Sequence, residues 1–207
     1  MSAQSRRVFI QALTAVGVTA AAGNLLLWAK GKRPATPPNP QGPFFVPGAP
    51  TRQDLKERGD SGLPLRVRGH LLDINDRPLT EARLDVFHAD PNGAYDMKGF
   101  RYRVRIPIQP DGSYEFETLV PGHYNAPDVN PNDVRPEHVH YVIQAGRSKF
   151  TTQLYFSTDP FFESDPARTL SKDPLVKHLE LIRPVELFTG KGKMYAATNF
   201  DLFLEVN

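Results

Sequence analysis

Two histidines separated by a single residue carry the strongest chemical signal in this sequence. His138 and His140 lie in an apolar stretch that follows a turn-forming region rich in Pro, Asn and Asp. Side chains at i and i+2 of a β-strand point to the same face, so a strand here would present two imidazoles side by side. Imidazole is a common metal ligand. The spacing therefore predicts half of a metal site, although such pairs also occur as packing or hydrogen-bonding partners.

The absence of cysteine limits the other donors that this site could use. With no cysteine among the 207 residues, the chain can form no disulfide, thiolate nucleophile, iron–sulfur cluster or cysteine zinc site. Any tightly bound metal must therefore be held by His, Asp, Glu or Tyr. Tyr95 and Tyr124 upstream, and Gln153 downstream, are the polar residues that we consider together with the histidines.

The distribution of charge argues against nucleic-acid binding. The first 33 residues contain five of the 25 basic side chains and no acidic one, so the rest of the chain has 20 basic against 23 acidic side chains. A slightly acidic body lacks the basic surface that nucleic acid requires. The sequence pI of about 8.8 thus reflects the N-terminal segment.

That N-terminal segment resembles an export signal. Arg6 and Arg7 precede an apolar run, rich in small residues, that extends to Ala29, as in twin-arginine signals. We expect residues 1–33 to direct export to the periplasm or another extracytoplasmic location. If left uncleaved, residues 8–29 could anchor the chain in a membrane or pack on the domain as a helix. We expect no other membrane contact.

The remaining chain predicts an all-β fold. Seven prolines between residues 34 and 50 favour an extended arm, and residues 51–62 read as a polar connector. Alternating apolar residues predict strands at 65–71, 82–88, 138–145, 150–156 and 200–206, a hairpin from 101–106 and 113–117, and one short helix near 174–181. We therefore predict a β-sandwich of mostly antiparallel strands with long loops over residues 63–207, preceded by the Pro-rich arm at 34–62.

Six motifs follow one another along the chain: LDVFHAD (84–90), GAY (93–95), DGSYEFET (111–118), PGHY (121–124), RPEHVH (135–140) and TQLYF (152–156). Together they resemble the intradiol ring-cleavage dioxygenases, and the protocatechuate 3,4-dioxygenase branch in particular. The resemblance covers roughly residues 40–160. Because the motifs occur in one order at compatible spacing, together they are far more specific than any one of them.

The resemblance implies a non-haem Fe(III) ion held by two tyrosines and two histidines. By position these are Tyr95, Tyr124, His138 and His140. A highly charged cation deprotonates a phenol whose ordinary pKa is about 10. Hard phenolate oxygens then favour ferric iron. Tyr102 or Tyr114 could in principle replace Tyr95.

The same resemblance implies a reaction and two further residues. A catechol-type ring would be cleaved between its hydroxyls with O2 to give a muconate-type diacid. Tyr124 would leave the iron when substrate binds and take up a substrate proton. Arg135 matches a residue that stabilises charge developing on the ring, and Gln153 matches a glutamine near it. Arg135 could instead brace the loop through a carboxylate such as Asp133.

Other features leave the substrate and the assembly open. Asn125 and Ala126 stand where the protocatechuate branch has a bulky aromatic, and Tyr102 stands where the family often has a glycine. Partners implied are a catechol-type small molecule and O2, with no nucleic acid, and we expect a homo-oligomer. His70, His88, His123 and His178 are interpreted as surface residues or as neighbours of the ligands.

Two alternatives remain at this point. A transthyretin-like or carbohydrate-associated β-sandwich could bind a ligand without chemistry, since this fold hosts many functions. A zinc or copper hydrolase could use the same histidines, and would be favoured if Tyr95 and Tyr124 lay apart, because zinc sites use N, S and carboxylate donors.

Overall fold

The computed structural model describes residues 32–126, 134–158, 173–190 and 192–206. The predicted export signal lies outside these ranges except for its last two residues. Within the described ranges, no helix is long and apolar enough to cross a membrane.

The described chain forms twelve β-strands and a 3-10 helix. The strands are β1 (Pro64–Asp73), β2 (Arg83–Phe87), β3 (Arg103–Ile106), β4 (Ser113–Leu119), β5 (Tyr124–Asn125), β6 (Val134–Arg135), β7 (His138–Ala145), β8 (Ser148–Phe156), β9 (Ile182–Arg183), β10 (Glu186–Gly190), β11 (Lys193–Asn199) and β12 (Leu202–Leu204). The 3-10 helix, Leu179–Leu181, is all that forms of the predicted short helix. The structure is thus nearly all β, as predicted.

Ten of these strands make two five-stranded sheets. The first sheet has the order β10-β11-β1-β12, with β4 on the other side of β1, and the second has the order β3-β2-β7-β8-β9. Pairings of β1 with β11 and β12, and of β8 with β9, are parallel, and the others are antiparallel. The short strands β5 and β6 form a separate two-stranded sheet. The prediction of mostly antiparallel strands is confirmed.

The hydrophobic core lies between the two large sheets. Buried side chains from β1 and β4, such as Val67 and Phe116, form one cluster with side chains from β2 and β7, such as Val86 and Tyr141. Because strand side chains alternate between faces, the odd-numbered residues of β7 enter this core and His138 and His140 point to the opposite face. The candidate site therefore lies on the outer face of the second sheet.

The predicted hairpin of residues 101–106 with 113–117 is wrong. The turn forms, with the Gly112 amide donating to the Gln109 carbonyl at 2.9 Å, but β3 pairs with β2 and β4 pairs with β1. The chain crosses from one sheet to the other at this turn. Alternation correctly indicated that β3 and β4 each turn an apolar face to the core. These two faces enter the same core from opposite sheets. Alternation could therefore not identify the strand with which each one pairs.

The Pro-rich arm lies extended across the edges and the outer face of the sandwich. The Thr36 amide donates to the Phe203 carbonyl at 2.8 Å, and the Asn39 amide donates to the Thr151 carbonyl at 2.9 Å. Further along, the carbonyl of Pro40 accepts a hydrogen bond from the Gln153 side chain at 2.7 Å. Residues 40–45 consequently cover the outer face of the second sheet, where His140 lies buried beneath them.

Candidate metal centre

The two histidines of β7 present their imidazoles to the same small space. Their Nε2 atoms lie 3.1 Å apart, and both side chains are buried. His138 donates from Nδ1 to the carbonyl oxygen of Pro136 at 2.6 Å. A proton on Nδ1 leaves the Nε2 lone pair of this ring free to bind a cation, which is the arrangement typical of metal-binding histidines.

Tyr95 reaches the histidine pair from the loop between β2 and β3. Its hydroxyl lies 3.1 Å from His140 Nε2 and 3.5 Å from His138 Nε2. Two aspartates shape this loop, because Asp90 accepts hydrogen bonds from the backbone amides of residues 92 and 94 and Asp96 accepts them from those of residues 98, 99 and 101. Side chains of this kind stabilise turns by capping backbone donors, and here they fix the loop on both sides of Tyr95.

Tyr124 approaches from the small sheet formed by β5 and β6. Its ring lies 5.3 Å from that of Tyr95 at an interplanar angle of 85° and 5.6 Å from that of His138. Tyr124 pairs with Arg135 in the β5–β6 ladder, and Arg135 Nη1 lies 3.4 Å from the Tyr124 hydroxyl. All four residues predicted as metal ligands therefore converge.

The other tyrosines considered in place of Tyr95 lie elsewhere. Tyr114 is in the hydrophobic core and donates its hydroxyl hydrogen to the carbonyl of Phe200. Tyr102 packs against His88, with ring centroids 4.9 Å apart. Its φ of 53° is in the left-handed region, which a bulky side chain rarely adopts. Tyr95 is thus the tyrosine of these three that meets the histidines.

Burial controls the protonation of the four side chains. Burial lowers the pKa of His138 and of His140 well below 6.5, with a further contribution from the positive charge of Arg135. Burial also raises the pKa of Tyr95 well above 10 and raises that of Tyr124, where Arg135 opposes the effect. At neutral pH both imidazoles are therefore uncharged donors, while the phenols need a cation in order to ionise.

These donors fit a metal ion. Atoms that share an ion at about 2.1 Å lie roughly 3 Å apart when their bonds are perpendicular, and the separations above are of this size. Within the described ranges no three His, Cys, Asp or Glu side chains cluster, so the tyrosines are needed to complete the set. Two imidazoles and two phenols could hold a cation that is hard enough to ionise a phenol.

Arg135 is held beside the site by a buried network. Its Nε donates to Asp173 Oδ2 at 2.6 Å, and its Nη2 donates to Tyr155 Oη at 2.9 Å and to Gln153 Oε1 at 3.1 Å. Burial opposes the charged guanidinium, but the facing oxygens of Tyr155 and Asp173 outweigh it and raise the pKa of Arg135. Arg135 consequently stays charged, and the side-chain oxygen of Gln153 accepts a hydrogen bond from it.

A carboxylate braces Arg135 in the structure. Asp133 lies outside the described residues, and the observed partner is Asp173, with its side chain fully buried. No periodicity or motif links Asp173 to Arg135, which is 38 positions earlier in the chain. Tyr155, in contrast, could have been found, because it lies two residues after Gln153 in a predicted strand and so shares its face.

Three further residues around the site were also missed. Phe44 of the arm stacks on Tyr95 with ring centroids 4.1 Å apart, and Phe87 of β2 stacks on His140 at 4.3 Å. Arg103 of β3 donates from Nη1 to the Phe44 carbonyl at 2.5 Å and from Nε to the Asp96 carbonyl at 2.8 Å. The alternation of β2 and β3 indicated that Phe87 and Arg103 lie on the face opposite to the core residues of these strands. It did not indicate that this face carries the site.

The remaining histidines have different surroundings in the described structure. His88 is buried between the Ala89 carbonyl and the Thr118 hydroxyl, each 2.6 Å from one of its ring nitrogens. His70 lies on the surface with Nδ1 3.1 Å from Asp201, and His178 is exposed. His123 is partly buried next to Tyr124 in the chain.

Comparison with known proteins adds an independent line of support. The sequence model of a family described as Dioxygenase matches residues 41–206. The chain is 30% identical to the chlorocatechol 1,2-dioxygenase of Rhodococcus opacus over 190 residues, covering 81% of this chain and 71% of that protein. It is 29% identical to the catechol 1,2-dioxygenase of Acinetobacter baylyi, covering 85% of this chain and 64% of that protein.

A solved structure matches the fold at a similar level of identity. It is the dioxygenase domain of a dioxygenase–carbohydrate-binding protein fusion from Streptomyces sp. SirexAA-E, with a TM-score of 0.68 and 33% identity, covering 84% of this chain and all of that one. The two relatives named above act on catechols at the 1,2 position by their names. They give no support to the predicted closeness to the protocatechuate branch.

Proposed function

Because this chain belongs to the intradiol ring-cleavage dioxygenase family, we propose that it cleaves a catechol-type ring between its two hydroxyl-bearing carbons at a non-haem ferric ion. The ion would be held by the four converging side chains, Tyr95, Tyr124, His138 and His140. The observation that carries the proposal is the approach of the Tyr95 hydroxyl and both histidine Nε2 atoms to within 3.5 Å of one another.

The donor set suits ferric iron and this reaction. Phenolates are hard, anionic donors that favour Fe(III), whereas imidazole is compatible with it. When bound, Fe(III) would withdraw electron density from a coordinated catecholate and so make a ring carbon reactive toward O2. One C–C bond of the ring breaks, and both atoms of O2 enter the diacid product, so the reaction needs no external reductant.

The two tyrosines are placed for different tasks. Tyr95 is partly buried, stacked face to face on Phe44 and within hydrogen-bonding distance of His140. Tyr124 meets Phe44 only edge to face, with centroids 5.6 Å apart. We therefore assign Tyr124 as the ligand that makes room for substrate, and its phenolate oxygen as the acceptor of a substrate proton.

Arg135 supplies positive charge on the substrate side of Tyr124. Its Nη1 lies 3.4 Å from the Tyr124 hydroxyl, and its other nitrogens are fixed by Asp173, Gln153 and Tyr155. A guanidinium held in this way needs no reorganisation to stabilise negative charge that develops on the ring. Gln153, which also donates to Pro40 of the arm, keeps this guanidinium oriented.

The alternative functions lose their support. A non-catalytic β-sandwich has no need for four buried donors that converge. A zinc hydrolase would be favoured by separated tyrosines, but the Tyr95 and Tyr124 rings lie 5.3 Å apart.

Location and assembly are proposals supported by the sequence. Arg6 and Arg7 before the apolar run support export by a twin-arginine route. The substrate would then be a catechol-type compound that the protein encounters outside the cytoplasm. Fractionation of cells that express the full chain, with and without Arg6→Lys and Arg7→Lys, tests this. The expected homo-oligomer is tested by light scattering of the purified protein.

The visible spectrum of the iron-loaded protein tests the function. We expect about one iron per chain and a broad tyrosinate-to-iron charge-transfer band that shifts when a catechol is added, together with O2 uptake and a ring-opened product. A small panel of catechols, chlorocatechols and hydroxyquinol would identify the substrate. A colourless protein after iron loading would contradict the proposal.

A further inference from the structure

The two histidines of the centre are oriented by different means. His138 donates from Nδ1 to the Pro136 carbonyl, which fixes the plane of its ring. The Nδ1 atom of His140 is also buried, but within the described part of the chain it has no hydrogen-bond partner. Metal-binding histidines usually owe their orientation to a hydrogen bond at this second nitrogen. Within the described residues, the contacts that orient His140 are therefore packing contacts.

Phe87 provides the packing contact. It is the direct partner of His140 in the β2–β7 ladder, on the outer face of the second sheet. The two rings are nearly parallel, with an interplanar angle of 3° and centroids 4.3 Å apart. Directly opposite residues are the closest side-chain neighbours in a sheet, and two flat rings stacked in this way restrict each other's rotation.

The arm restricts the ring of His140 at its edge. A Cβ atom added at Gly42 would lie 3.4 Å from His140 Cε1, so the backbone of the arm passes close to the imidazole. The φ of Gly42 is 73°, a backbone conformation that glycine adopts without strain. The imidazole is thus enclosed by a ring on its face and by backbone at its edge.

Arg103 holds Phe87 from the other side. Phe87 is also the ladder partner of Arg103, whose guanidinium lies 5.2 Å from the Phe87 ring centroid. The guanidinium is itself fixed by the carbonyls of Phe44 and Asp96. Arg103, Phe87 and His140 consequently form a continuous row across β3, β2 and β7, in which a cation–π contact and a ring stack keep the central ring in place.

We propose that Phe87 is a positioning residue for the metal centre, which fixes the ring plane of His140 in place of the hydrogen bond that orients His138. The proposal rests on the proposed function, since His140 is a metal ligand only there. In this role Phe87 acts through its contact with His140. Loss of its flat ring would let the imidazole rotate and would loosen one of the four bonds to the ion.

Replacing the ring while keeping a buried apolar side chain tests this. In Phe87→Leu we expect the charge-transfer band to shift, the ferric EPR signal to broaden, and iron to be lost to a chelator about 10 to 100 times faster than from the wild type, as is typical when a residue that orients a metal ligand is changed. Phe87→Tyr keeps the ring and should restore all three values. If Phe87→Leu does not fold, Phe87→Met is measured in its place.

Phe116→Leu is the matched control. Phe116 is also fully buried but lies in the core between the sheets, so this variant loses a similar packing contact at a distance from the centre. We expect it to lower the melting temperature comparably while leaving the band, the EPR signal and the rate of iron loss as in the wild type. If the wild type shows the band but Phe87→Leu behaves like Phe116→Leu, only the proposed role of Phe87 is overturned. A wild type without the band would overturn the proposed function.

Discussion

Arg135 and Asp173 form an ion pair whose two side chains are 3% and 0% exposed, with Nε and Oδ2 2.6 Å apart. The pair joins β6 to the beginning of the segment that precedes the 3-10 helix. Asp173 also accepts a hydrogen bond from the Leu175 amide at 2.9 Å, so its carboxylate is held in turn. Since the Arg135 side chain extends from this anchor toward Tyr124, the carboxylate determines where the positive charge beside the candidate centre lies.

Replacing this carboxylate should cost both stability and activity. In Asp173→Asn a buried guanidinium loses its countercharge, and we expect the free energy of unfolding to fall by about 2–4 kcal/mol. Turnover should fall roughly tenfold, because Arg135 can then leave its place beside Tyr124. Urea denaturation and steady-state O2 uptake measure the two effects.

The control for Asp173 is an ion pair on the surface. Glu57 lies 3.6 Å from Arg52 with about half of its side chain exposed, so Glu57→Gln should change the free energy of unfolding by less than about 1 kcal/mol and leave turnover unchanged. If Asp173→Asn were as mild as Glu57→Gln in both measurements, the buried pair would have no part in positioning Arg135.

Removing the hydroxyl of Tyr124 should separate metal binding from turnover. In Tyr124→Phe three donors remain, so we expect part of the iron to be retained with a weaker charge-transfer band. Turnover should fall by about 100-fold or more, since the proposed acceptor of a substrate proton is lost. Iron analysis, the visible spectrum and O2 uptake give the three values.

Tyr195→Phe is the corresponding control. Tyr195 is stacked on Phe188 in the β10–β11 hairpin, among residues of the first sheet, so its hydroxyl should matter for none of the three values. Full activity in Tyr124→Phe would rule out the role that we assign to this tyrosine.

The sequence predicted which residues of one strand share a face in this site. The contacts that it did not predict were all missed for one physical reason. The two-residue period of β7 and β8 was sufficient to bring His138 and His140, and Gln153 with Tyr155, onto common faces. Contacts between elements depend instead on strand order and register, which alternation does not encode. The stacking of Phe87 on His140 requires β2 to be the neighbour of β7, and the pairing of Arg135 with Asp173 joins residues that are 38 positions apart in the chain.

The same limit explains the wrong hairpin. The turn at Gly112 was predicted correctly, and so was the buried face of each flanking strand. Whether two consecutive strands pair or separate into facing sheets is decided by the packing of the core, where Val104 and Phe116 meet from opposite sides. The pattern of apolar residues within one strand does not predict this outcome.

Stability should depend on pH through His88. Burial lowers the pKa of His88 to about 4 from 6.5, so between these values the unfolded chain binds a proton that the folded chain does not. Because of this residue, the free energy of unfolding should fall by roughly 3 kcal/mol as the pH decreases from 6.5 to 4. Above pH 6.5, His88 should not make the free energy of unfolding depend on pH. Urea denaturation of metal-free protein at pH 7 and 4.5 measures the difference.

His88→Gln should remove this part of the pH dependence, because glutamine does not titrate. The exposed His178 offers the comparison, since His178→Gln makes the same replacement on the surface. An unchanged slope in His88→Gln would mean that His88 binds its proton at the same pH in the folded and in the unfolded chain.

The last prediction concerns the place where the loops that carry Tyr95 and Tyr124 touch. A Cβ atom at Gly93 would lie 1.9 Å from the His123 carbonyl oxygen, and one at Gly122 would lie 2.4 Å from the Pro91 carbonyl oxygen. The two glycines let the loop backbones approach more closely than any side chain would allow. Gly93→Ala should push the loops apart and separate the tyrosines, with a loss of stability of about 2–4 kcal/mol from the clash and the positive φ together.

Gly59→Ala isolates the cost of backbone conformation from the cost of the clash. Gly59 has a φ of 94°, close to the 84° of Gly93, but an added Cβ would meet nothing within 4 Å. We expect Gly59→Ala to cost about 1 kcal/mol and to bind iron with the wild-type charge-transfer band. Gly93→Ala should lose most of the band under conditions where the protein is still folded, because Tyr95 and Tyr124 would no longer reach the same ion. Equal spectra for the two variants would show that the close approach of these loops does not control the metal centre.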